Sequence, residues 1–122
     1  MREPSYEDFI KAIAKEPALT IYGLERIINI EEYRRSRDLL KDRFIEFQIS
    51  CDWLSRCPRR KTVNSRIGNS FGLKDRVQAW AGELISNGAF IAAVIHLGIP
   101  YKLHKKTPNV FIGLSSRCAM LN

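Results

Sequence analysis

The segment from Ile85 to Gly98, ISNGAFIAAVIHLG, constrains this chain more than any other, because its small and apolar residues leave almost no face for water. A helix that is apolar all round must be buried. It therefore reads as the packing axis of one small domain, a helix over about Ala89–Leu97 stopped by a left-handed Gly98. The apolar run Gly88–Leu97 is far short of the ~20 residues that span a bilayer, and the N-terminal residues lack a signal-peptide layout. A cytoplasmic protein with no membrane partner is the expectation.

The chain has 122 residues, 45% hydrophobic and 27% charged, which suits a single domain over 1–122 with one core. Its net charge of +7 is unevenly placed. Residues 1–55 hold 9 Lys/Arg against 11 Asp/Glu, whereas residues 56–122 hold 11 against only Asp75 and Glu83. An acidic partner belongs to the second half.

In chain order, Ser5 to Asp8 fits a capping box, and Tyr6, Phe9, Ile10, Ile13 and Ala14 share one face of a first helix that is over by Pro17. Ile21, Leu24, Ile27 and Ile28 share a face over Thr20–Ile28, which predicts a second short helix despite Gly23. Between Ile30 and Cys57 there is neither Gly nor Pro. Tyr33, Leu40, Phe44, Phe47, Cys51 and Leu54 recur there at helical steps, predicting one long helix over about 30–57. Ile45, Ile49 and Trp53 lie off that stripe and serve a second packed side, a partner or a homodimer.

Pro58 opens a polar, basic loop that runs to Gly72. Leu73, Val77, Trp80, Ala81, Leu84 and Ile85 mark a helix over about 73–85, with Asn69 or Ser70 as its cap. After Pro100 the period changes to two: Tyr101 and Leu103, then Val110, Ile112 and Leu114, alternate with other residues and predict an antiparallel hairpin with a Lys105–Pro108 turn. The fold class is α+β and mainly helical, with four to five helices and a C-terminal two-stranded β-hairpin.

Helix, turn, helix and basic hairpin is the order of a winged helix in the second half. The helix after the turn resists the role of base reader, since it offers only Asn87 and His96 to base edges. The functional signal is the basic set Arg56, Arg59, Arg60, Lys61, Arg66, Lys74 and Arg76, extended by Lys102, Lys105, Lys106 and Arg117. Several fixed cations on one surface neutralise phosphates; a solvated loop and a contact with an acidic protein surface are the alternatives. No catalytic or metal residue and no cofactor are expected. His96 and His104 fall on different elements, Cys118 with His104 matches no nucleophile motif, and Cys51, Cys57 and Cys118 read as buried free thiols. Gly68 to Gly72 is too short to be a phosphate loop.

Lys61-Thr62, Gly72-Leu73-Lys74, Trp80, the run Ser86–Ala93, Leu97-Gly98 and Pro108-Asn109-Val110 resemble the shared pattern of small uncharacterised proteins of bacterial phages and plasmids. The resemblance covers residues 59–115. It implies a mobile-element setting and transfers no catalytic residue. Two roles suit such a setting. One is a non-enzymatic, sequence-independent nucleic-acid binder acting through the loop and the hairpin tip. The other is an anti-defence, anti-CRISPR-like inhibitor of a host nucleic-acid-binding complex, anchored by Trp53 or Phe71.

Overall fold

The chain folds as expected at its first turn. In the computed structural model, which describes residues 3–122, helix α1 spans Tyr6–Ala14. Its capping box is complete: the Ser5 hydroxyl accepts from the Asp8 amide at 3.1 Å, and the Asp8 carboxylate accepts from the Ser5 amide at 2.8 Å. Phe9, Ala12 and Ile13 are buried. The C-terminal carbonyls of α1 are met from a distance in sequence, by Arg37. Its guanidinium donates to the carbonyls of Ile13, Glu16, Pro17 and Leu19 at 2.9–3.2 Å.

The helix expected over Thr20–Ile28 is instead a strand pair, β1 (Leu19–Thr20) and β2 (Gly23–Leu24). Gly23 decides this, since its φ of +122° belongs to no helix and a β-carbon there would lie 2.2 Å from the Pro108 carbonyl oxygen. The apolar period misleads because Ile27 and Ile28 are not packed; Ile28 is 88% exposed.

The long helix expected over 30–57 is two helices, α2 (Ile30–Lys41) and α3 (Phe44–Ser55). Asn29 caps the first by accepting from the Glu31 and Glu32 amides. At the break, the amides of Asp42 and Arg43 bond back three residues, to Leu39 and Leu40. The two helices have different partners, which explains the turn: α2 lies on β1, whereas α3 packs on α1 and on the two helices that follow. Polar α2 buries only Ser36 and Leu40, while α3 buries Phe47, Ser50, Cys51, Trp53 and Leu54 on two sides.

Helix α4 spans Ser70–Ala81, capped by the Asn69 side chain on the Phe71 amide at 3.0 Å. It stops short of the expected Ile85 because Gly82 turns left-handed there. Trp80 and Leu84, expected on the buried face, are exposed as a result. Helix α5 spans Asn87–His96, and every residue from Asn87 to Ile95 is buried. Contacts from α1, α3, α4 and the β1–β2 pair surround it, so this is the axis the composition predicted. The approach to β1 is close: a β-carbon on Gly88 would fall 2.0 Å from the Thr20 carbonyl oxygen. The expected left-handed Gly98 follows.

Strands β3 (Tyr101–Leu103) and β4 (Val110–Ile112) pair antiparallel with Lys102 opposite Phe111, as the alternation predicted. Five helices with two short strand pairs make the fold α+β and mainly helical. Among the described residues no helix is long and apolar enough to cross a membrane.

Candidate nucleic-acid interface

The basic loop is anchored along its length rather than loose. The Arg60 amide donates to Gly113 O at 2.8 Å, the Asn64 amide to Ile112 O at 2.9 Å, and the Ser115 amide to Pro58 O at 2.9 Å. Buried Asn64 adds side-chain donation to Leu114 O and Ser116 Oγ, both at 2.9 Å. Residues 60–64 thereby run beside 112–114, and a 3₁₀ turn over Ser65–Ile67 leads into α4. A buried asparagine with its donors filled fixes the loop as firmly as a strand would.

The cations fall into groups. Arg56, after the end of α3, pairs with Asp52 at 3.1 Å and lies over the Trp80 ring at 5.1 Å. Arg59 donates to the Leu97 carbonyl, a favourable place for a cation at the C-terminal end of α5. Arg60, Lys61 and Arg66 are exposed along the loop. On α4, Lys74 pairs with Asp75 at 2.9 Å and sits 4.5 Å from the Phe71 ring centroid, and Arg76 donates to Leu121 O. Of the ten cations from Arg56 to Lys106, only Arg56 and Lys74 form an ion pair among the described residues. The other eight form none, although Lys106 shares a groove with three glutamates.

The hairpin tip is far from Arg59 but touches the end of the loop, where Asn69 bonds His104 at 2.9 Å. Pro108 and Asn109 meet Asn87 at the N-terminal end of α5, whereas Arg59 caps its other end. A ten-residue helix separates the two by roughly 15 Å. Lys105 is exposed, and Lys106 lines a groove of about 930 Å³ together with Glu16, Glu25, Glu32, Leu24, Ile28 and Leu103. Glu16 on its wall accepts from the Tyr101 hydroxyl at 2.9 Å, and the Tyr101 pKa is pushed up to about 12 by burial first and by Glu16 second. Lys102, in the middle of β3, is exposed opposite Phe111.

Buried α5 cannot enter a groove of DNA, so the winged-helix order carries no recognition helix here. Trp53 is fully buried and is no anchor for a partner; Phe71 is exposed. The thiols are all buried and free. Cys118 Sγ lies 2.7 Å from Cys57 Sγ, while His104 bonds Asn69 at 2.9 Å and stacks on Phe111. Cys118 and His104 thus have different partners. Cys51 and His96 share a second cleft, but burial, with Asp8 adding to it, pushes the Cys51 thiol up to about 12 and keeps it protonated. Among the described residues no group of three or more His, Cys, Asp or Glu is placed to hold a metal ion.

Sequence reasoning missed two surface features. One is Trp80, taken for core, which Gly82 two residues on could have flagged as the end of a helix. The other is the apolar rim of the groove, hidden by the false helix over 20–28. Comparison with family models, curated proteins and solved structures finds no match for this chain.

Proposed function

We propose that this protein binds nucleic acid electrostatically and without sequence readout, through Arg59, Arg60, Lys61, Arg66 and Arg76 on the anchored loop and α4. The observation that carries this reading is a set of exposed cations on and beside a loop anchored by backbone hydrogen bonds, none of them in an ion pair among the described residues. Phosphates would supply the missing charge, and cations fixed in advance lose little freedom on binding. Lys105 and Lys106 follow His104, which bonds Asn69 at the loop's end, and supply a second contact away from Arg59.

Affinity should fall steeply with salt. Replacing Arg60, Lys61 and Arg66 by Ala should lower the slope of log K against log[salt] by about 2–3 and weaken all sequences alike. Salt-independent binding, or none at low salt, sinks the reading. The groove supports a second reading, a protein-binding inhibitor of a mobile element, because Ile28 and Leu103 leave apolar surface exposed on its rim. A host partner retained after nuclease treatment, and lost on Ile28→Asp, would favour it.

A further inference from the structure

We infer that the loop surface takes single-stranded nucleic acid rather than duplex, with Trp80 and Phe71 as platforms on which unpaired bases stack. The inference rests on the nucleic-acid reading above and narrows its ligand. Trp80 is 43% and Phe71 54% exposed, a large aromatic area left in water on the basic half of the chain. Each ring is backed by a cation, the Arg56 guanidinium at 5.1 Å and the Lys74 ammonium at 4.5 Å from the centroid. These two pairs bracket the basic loop, which leaves α3 at Arg56 and enters α4 just before Phe71. Both rings are on α4, nine residues and roughly 13 Å apart along its axis and half a turn apart around it, so a strand that meets both crosses the helix.

A duplex would use little of this. Its bases are hidden, so it would meet the cations but not the rings, and α5 is too buried to reach base edges. A single strand offers phosphates and open π-faces together. Base–aromatic stacking contributes to affinity whatever the base, matching a surface without side chains placed for base readout. A base would take the face of each ring that its cation does not cover.

The protein carries a built-in reporter. Of its two tryptophans, Trp53 is fully buried, so quenching by a stacked base reports on Trp80. The intact protein is titrated at low salt with oligothymidylate of about 20 nucleotides, longer than one site, and with a duplex of equal length, following tryptophan emission and the anisotropy of labelled strands. The single strand should bind more tightly and quench emission, and the duplex should leave emission unchanged. Trp80→Ala and Phe71→Ala should each lose about 5- to 100-fold in single-strand affinity with duplex affinity kept within about twofold, while Trp80→Phe, which keeps a flat ring, should retain most of the binding. Equal binding of both forms, indifferent to Trp80→Ala, overturns this inference and leaves electrostatic binding standing. Binding of neither at low salt overturns both.

Discussion

At the scale of single residues, Arg37 closes more of the fold than its charge suggests. Helix ends leave carbonyls short of partners, and Arg37 donates to four carbonyls between the end of α1 and the start of β1, adding to the bonds that Ile13, Glu16 and Pro17 accept from elsewhere. A planar fork can span several acceptors, which a lysine ammonium on a flexible stem cannot match. Arg37→Ala should cost about 2–3 kcal/mol in denaturant unfolding, and Arg37→Lys should recover less than half. Full recovery by Lys would mean that charge alone matters there. Nothing in the sequence marks Arg37: it stands among Arg34, Arg35 and other charged residues of a polar helix, and its role exists only once α2 lies across α1's end. The cations of the loop were visible one by one. What could not be read was that Arg59 and the hairpin tip meet opposite ends of α5, while Asn69 at the loop's other end bonds the hairpin.

At the scale of elements, local chemistry was legible and long-range demands were not. The caps at Ser5 and Asn69 and the β3–β4 alternation act within a few residues, so the pattern shows them directly. The break at Asp42-Arg43 has no breaker residue; it arises because α2 and α3 must reach different neighbours. The β1–β2 pair is set by the backbone of α5 and of Pro108, far along the chain. Gly88 and Gly72 separate these causes. Alanine is the better helix former by about 1 kcal/mol. At Gly72 nothing lies within 4 Å of an added β-carbon, so Gly72→Ala should stabilise by up to about that amount. At Gly88 the new carbon would strike the Thr20 carbonyl at 2.0 Å, and the backbone of two elements would have to move. Gly88→Ala should instead lose about 2 kcal/mol or more, read from the shift in unfolding midpoint. A neutral Gly88→Ala would show that α5 and β1 are not in such close contact.

At the scale of the whole molecule, the core draws on residues from Phe9 to Cys118, so the two halves of unequal charge share one interior. α5 is buried largely by α1 and α3, which precede the 59–115 segment. A fragment of residues 59–122 would expose apolar α5 and should show neither amide dispersion by NMR nor a cooperative thermal transition, whereas the full chain should unfold in a single step. A folded fragment would mean that the N-terminal helices are an accessory. A protein sharing only the 59–115 pattern would need its own cover for the axis helix.

The clasp around β2 also bears on when this fold can form. Leu24 donates its amide to Pro108 O at 2.8 Å, and Gly88 donates to Ile21 O at 3.0 Å. During synthesis the first strand pair emerges more than sixty residues ahead of Gly88 and more than eighty ahead of Pro108. At about 5–20 residues per second that is a wait of roughly 4–17 s. Until then β1–β2 has only its neighbours in sequence to hold it, chiefly α2 through Ser36 and Arg37, since two two-residue strands are not stable alone. The N-terminal hairpin gains its remaining contacts only after most of the chain exists, whereas Ile27 and Ile28 beside it stay exposed even in the finished fold.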